Sequence, residues 1–253
     1  MEARKSLAIA IAVSGISGLA AKAEPVNWAG PYFGVSAGGG VGDQSQHGGV
    51  LLLPSSGPGT TTITTYTSTY IPDGNYGISG ALLGGGVGYN WQQERLVVGV
   101  EADGSWSSIS GSGTCGFPWA LPHACGGGIG ALGTLRGRIG WDFGWSLGAF
   151  GSVLPFVTGG LAVGEVHAWD SLLSTSGSTT LPGWTLGGGL EAMIAPHWSV
   201  KVEYLHVNLG NYGFFTAATF PEHVSTHAEV FRIGVNYHFD LAPPPPLVVK
   251  AKY

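Results

Sequence analysis

In several stretches between residue 32 and residue 239, apolar and polar side chains alternate one for one. In "LGTLRGRIGW" (132–141), Leu135, Ile139 and Trp141 share one parity, and Arg136 and Arg138 share the other. Successive strand side chains point to opposite faces, so this alternation predicts a strand with two unlike sides. Eight such segments are predicted, over about 32–41, 80–91, 96–107, 131–141, 154–167, 183–193, 198–209 and 229–239. In the third, Val98, Val100, Ala102 and Trp106 stand opposite Glu101, Asp103 and Ser105. In the sixth, Trp184, Leu186, Leu190 and Ala192 oppose Thr185 and Glu191. The seventh sets Val200, Val202 and Tyr204 against Ser199, Lys201 and Glu203. The last sets Phe231, Ile233, Val235, Tyr237 and Phe239 against Arg232, Asn236 and His238.

The connections alternate as well. Residues 92–95 and 195–197 are tight, and 142–153 are fairly short. Residues 42–79, 108–130, 168–182 and 210–227 are long and polar. Short turns on one side and long loops on the other are how transmembrane barrels are built. The expected fold is all-β, an eight-stranded antiparallel up-and-down transmembrane β-barrel. Lys or Arg facing lipid at mid-bilayer costs about 2–4 kcal/mol, so the apolar face must point outward. Tyr89, Trp91, Trp141, Trp198, Tyr237 and Phe239 then fall at the short-turn end, and Trp106, Trp184 and Phe231 at the other, as two interfacial rings.

The polar face becomes the lumen. It holds four acids, Glu101, Asp103, Glu191 and Glu203, and four bases, Arg136, Arg138, Lys201 and Arg232. An eight-stranded barrel has room inside only for its own side chains, and charges enclosed there must be paired. Arg136 and Arg138 are expected to pair with Glu101 and Asp103 on the neighbouring strand. Glu191 and Lys201 sit opposite each other in the hairpin centred on Pro196 and are expected to pair directly.

Composition supports an unusual environment. Only 10% of the 253 residues are charged, 44% are hydrophobic, and 45 are Gly. Glycine gives a narrow, curved barrel room beside bulky neighbours. Arg4 and Lys5 precede an apolar run that ends at "AKA" (21–23), which reads as a signal peptide over 1–23. The expected organisation is signal peptide 1–23, barrel 24–239 and a Pro-rich periplasmic tail 240–253. Without Arg4, Lys5, Lys22 and Glu2 the chain has 7 basic and 14 acidic residues, a balance that gives nucleic-acid binding no support. Cys115 and Cys125 lie in one Gly-rich loop of an exported chain and are expected to form a disulfide.

No chemistry is expected. Gly34-Val-Ser36-Ala-Gly38 fits a nucleophile elbow but lies within a strand with no helix after it. Gly128-Ile-Gly130-Ala-Leu-Gly133 fits a dinucleotide fingerprint but leads into a strand instead of out of one. His223 and His227 lie close together in the last long loop, with His123 in another; solvated loop histidines outweigh a metal or haem site. No cofactor and no enzyme activity are expected.

The sequence resembles the outer-membrane β-barrel family of small surface antigens and porin-like proteins of Gram-negative bacteria. The likeness runs through "NWAGPYFGVSAGG" (27–39), "GYNWQQERLVVGVEADGSW" (88–106), "TLRGRIGW" (134–141) and "FVTGGLAVG" (156–164). It continues through "GWTLGGGLEAMIAPHWSVKVEYLHVNLG" (183–210) and "FRIGVNYHF" (231–239), covering nearly all of 27–239 in order. The resemblance implies an eight-stranded outer-membrane barrel with both termini in the periplasm. It makes Tyr237 and Phe239 the assembly signal read by the barrel-assembly machinery. Members are described as porin-like, as surface antigens or as haemin binders. The first loop is longer and richer in Thr than the plain pattern, and the tail "DLAPPPPLVVKAKY" follows the terminal aromatic. The expected function is a structural barrel in outer-membrane lipid whose external loops contact a host surface or envelope partner. A small porin-like channel and a haem or ligand receptor are the alternatives.

Overall fold

The computed structural model describes residues 26–51, 68–116, 122–144, 146–147, 150–171, 175–214 and 222–239. The expected signal peptide and the Pro-rich tail lie outside them. The strands are β1 (Gly30–Leu51), β2 (Ser68–Gln93), β3 (Leu96–Cys115), β4 (His123–Trp141), β5 (Ser146–Leu147), β6 (Phe150–Asp170), β7 (Thr175–Ala195), β8 (Trp198–Phe214) and β9 (Glu222–His238). The two-residue β5 folds back on β6 within the β4–β6 connection. The other eight pair antiparallel with their neighbours, and β1–β9 and β4–β6 pairings close the sheet into a barrel.

Ladder partners trace the stagger of that closure. From Gly30 the row runs through Asn90, Gly99, Arg138, Thr158, Gly187, Leu205 and Val230, and returns to β1 at Gly40. A stagger of ten residues over eight strands tilts them by roughly 40° for ordinary strand rise and spacing. All the tight connections, together with Gly30 and His238, lie at one end.

The outward face carries an apolar band between two aromatic rings. Trp91, Trp141, Trp198 and Phe239 are exposed at the tight-turn end; Trp106, Trp184 and Phe231 are exposed at the other. Between them Val35, Val87, Val98, Leu135, Ile139, Val157, Leu161, Leu186 and Ile233 all face outward. Phe231 and Phe239 are eight residues apart, roughly 20 Å of height at this tilt, close to the ~25 Å band of an outer-membrane barrel.

The strands do not stop at the upper ring, and here the sequence reading needs correction. Residues 42–79, 108–130, 168–182 and 210–227, expected as loops, are largely strand. On β3, Ser108, Ser110, Ser112 and Thr114 face out, while Ile109 and Cys115 face in. Irregularities at Trp106/Ile109 and Ile129/Ala131 accompany this change. Above the ring the polarity is therefore that of a water-exposed barrel. Its interior packs Ile78, Leu82, Ile109, Ile129, Val166, Leu181, Leu209 and Val230 among other apolar side chains.

Candidate functional site

The lumen is filled in three layers. At the tight-turn end Trp28, Val97, Leu154 and Met193 pack together, with Val26 against them. Trp28 is pinned from both sides: its backbone N–H donates to Gln92 Oε1 at 2.6 Å and its indole N–H to Asp142 Oδ2 at 3.2 Å. Ser152 donates to the other Asp142 oxygen at 2.6 Å. The segment before β1 thus corks the barrel mouth.

The charged layer lies above it. Inward parity on β3, β4, β7, β8 and β9 brings all eight predicted ionisable residues into this layer. Arg136 reaches three carboxylates: Glu203 at 2.8 Å, Asp103 at 2.8 Å, and Glu101. Arg232 grips Glu203 at 2.6 Å and Asp103 at 2.8 Å. Lys201 donates to both oxygens of Glu101, at 2.8 and 2.9 Å. Arg138 pairs with Glu191 at 2.6 Å. Thr134 donates to Asp103 at 2.6 Å, and Ser199 and Asn236 donate to Glu191 at 2.6 and 2.7 Å. Each carboxylate has several donors, the arrangement in which enclosed charge is tolerated.

Two pairings differ from those the sequence predicts. Arg138 lies 3.9 Å from Glu101 and turns instead to Glu191, two strands away on β7. Glu191 and Lys201 are ladder partners, as the hairpin register predicts, but their charges go elsewhere, to Arg138 and Glu101. Lumen side chains are long enough to cross an eight-stranded barrel, so the neighbouring strand has no monopoly on partners. Tyr32, which the sequence reading passed over, sits at the centre of this exchange. It donates to Glu101 at 2.8 Å and accepts from Arg138 at 3.2 Å. Its ring fills the space beside Gly88, where an added Cβ would lie 2.3 Å from Tyr32 Cζ. Its parity with Gly34 and Ser36 was the available signal. His238 completes the layer, 3.0 Å from the Ser199 hydroxyl.

A cavity of about 20 Å³, lined in part by Tyr32, Glu101, Asp103, Lys201 and Arg232, remains within this layer. That is room for about one water. The apolar upper core forms the third layer. Its outer end carries the disulfide, Cys115 to Cys125, with Cα atoms 5.8 Å apart. The two cysteines end β3 and sit in β4, not in a loop, so the bond staples the β3–β4 hairpin across its strands.

His123, His223 and His227 do not form one cluster, since the first is on β4 and the other two are on β9. His123 lies in β4 and contacts Asp170 at 2.8 Å; His227 is exposed on β9. His223 is in β9 too, with its side chain outside the described residues. Among the described residues no group of three or more His, Cys, Asp or Glu could hold a metal ion.

The family model described as "Outer membrane protein beta-barrel domain" matches residues 8–239. A 31 kDa outer-membrane immunogenic protein of Brucella melitensis biotype 1 is 31% identical over 255 residues, covering 94% of this chain and 95% of its own. A 22 kDa outer membrane protein of Rhizobium leguminosarum bv. viciae is 31% identical over 136 residues, 53% of each. Among solved structures, the Pseudomonas aeruginosa outer membrane protein OprG aligns at 12% identity and a TM-score of 0.46, over 83% of this chain and 98% of its own. Neisserial surface protein A aligns at 13% identity and 0.38, over 82% and 97%.

Proposed function

The chain belongs to the outer-membrane protein β-barrel family, and from that membership we propose that it is a non-conducting structural barrel displaying its upper strands and loops for partner contact. The observation that carries this reading is the filled lumen. An apolar cork, a paired charge layer and an apolar upper core follow one another, and the cavity in the charge layer is water-sized. Beyond the apolar band the strands carry a polar outer wall on which external segments are held clear of the bilayer.

In this reading residues 1–23 direct export and are removed. The tight-turn end, both termini and the tail 240–253 face the periplasm, since the four open hairpin ends need the cell exterior. Tyr237 and Phe239 are the signal recognised by the barrel-assembly machinery. Their support is position: Phe239 caps the lower ring beside Phe33 and Tyr237, at 5.7 and 5.1 Å between ring centroids.

Planar-bilayer recording of the purified protein tests the closed lumen. The expected result is no steady porin-scale conductance; a large, steady one would replace this reading with the channel. Deleting residues 52–67 and comparing whole-cell adhesion tests the display role. Adhesion should fall while the protein stays in the outer-membrane fraction and keeps its gel shift on boiling. Unchanged adhesion would remove partner contact through that segment.

A further inference from the structure

On one flank of the barrel a lipid-facing groove and a polar cluster adjoin at the level of the upper ring. On its lipid-facing side a groove of about 480 Å³ runs over β7, β8, β9 and β1, lined by Ala37, Gly188, Leu190, Val202, Tyr204, Phe231 and Ile233 among others. Its floor is open because two of the outward positions there, Ala37 and Gly188, carry little or no side chain.

Directly above the groove, polar side chains meet on the same outer wall. Tyr204 donates to Glu229 Oε2 at 2.5 Å, and His206 Nδ1 lies 2.8 Å from Glu229 Oε1. The exposed Trp184 ring stands 5.2 Å from the His206 ring. One row further out, Asn208, His227 and Asp43 are ladder neighbours on β8, β9 and β1. An aromatic face beside a carboxylate, an amide and imidazoles suits a sugar. The ring stacks its C–H face, and hydroxyls donate to the lone pairs the carboxylate still has free.

Direct phosphate recognition is poorly served there. Of the five Lys or Arg among the described residues, four line the lumen and Arg95 lies in the β2–β3 turn at the opposite end. The outer leaflet of a bacterial outer membrane is built from a glycolipid whose sugars sit at this height and whose acyl chains run down the lipid face. We propose that this flank is a lateral site for that glycolipid. One acyl chain lies in the groove, and a headgroup sugar rests against Trp184, His206, Asn208 and Glu229. Recognition is of sugar and chain, not of phosphate.

The test uses native mass spectrometry of the full protein released from nanodiscs, with three probes: lipid A, lipid A stripped of its phosphates, and phosphatidylglycerol. One molecule of either lipid A should be retained per barrel, with less than a twofold difference between them, and phosphatidylglycerol should be retained at least tenfold more weakly. Ala37→Leu fills the groove from the lipid side, and Glu229→Ala with His206→Ala removes the headgroup contacts. Each variant should weaken retention about tenfold while keeping the boiling-dependent gel shift of a folded barrel. Val98→Leu, elsewhere on the apolar band, should leave retention unchanged. Equal retention by all variants would overturn the site, as would equal retention of phosphatidylglycerol. Loss of binding with the phosphates would overturn sugar recognition. A shift of the wild-type mass to a dimer, abolished by Ala37→Leu, would give the groove to a second copy of the chain instead.

Discussion

On β3, Val98 and Val100 face out and Glu101 faces in; nine and more residues later Ser110, Ser112 and Thr114 face out and Cys115 faces in. The same eight strands thus build two barrels end to end with opposite polarity. Below the upper ring the solvent is hydrocarbon, so apolar side chains go outside and the charges have only one another. Above it the solvent is water, so Ser and Thr go outside and the interior closes on Ile109, Ile129, Leu181 and Leu209. The two halves are also held differently. The lower interior depends on a few charge-assisted hydrogen bonds with many partners each, and the upper on distributed packing plus one disulfide.

The largest test of this contrast is Arg136→Met. It strips three enclosed carboxylates of a shared partner and should cost roughly 3–5 kcal/mol, read as a lowered unfolding midpoint in urea with lipid vesicles. A midpoint shift no larger than that of an ordinary surface substitution would mean water reaches the layer.

The outer polarity is tested next by one charge placed at two heights. Val87→Arg, in the middle of the band, should destabilise by about 2–4 kcal/mol. Ser112→Arg, on the same side of the sheet but above the ring, should stay within about 0.5 kcal/mol. Equal costs would mean the upper strands also meet hydrocarbon.

Removing the disulfide with paired Cys115→Ser and Cys125→Ser should cost about 2–3 kcal/mol in the chain-entropy model. Because the bond lies in the upper barrel, limited proteolysis should find the β3–β4 hairpin opened while the membrane half stays protected. Cleavage spread evenly along the chain would contradict two separately held halves.

The finest test concerns who pairs with whom. In double-mutant cycles Glu191→Gln with Arg138→Met should show a coupling of about 1–3 kcal/mol. Glu191→Gln with Lys201→Met should show a smaller one, although these two are ladder partners. The reverse order would restore the direct hairpin pair.

Much of the membrane half was legible in the sequence, because there each strand pairs a bulky apolar row with a charged one. Period two at Val98–Trp106 or Phe231–Phe239 cannot be mistaken for a loop. The upper half was not legible. Its inward positions include Gly111, Gly113 and Gly127, and its outward positions on β3 are Ser and Thr. With no bulk on either face the alternation leaves no hydrophobic signal, and such stretches read as loop. Only partner strands, supplying Ile78, Val166 or Leu181 across the interior, show that they are walls.

What the sequence by itself determined is the face of each side chain, and hence the barrel, the band between the two aromatic rings and the membership of the charged layer. These follow from strand geometry, which is local. What only the tertiary structure decided is where the strands end and which charge meets which. Arg138 finds Glu191 instead of its strand neighbours, Tyr32 joins Arg138 to Glu101, and Trp28 folds under the barrel to cork it. Those contacts depend on curvature, stagger and the reach of long side chains across a closed lumen, and no period along a single strand encodes the distance across a barrel.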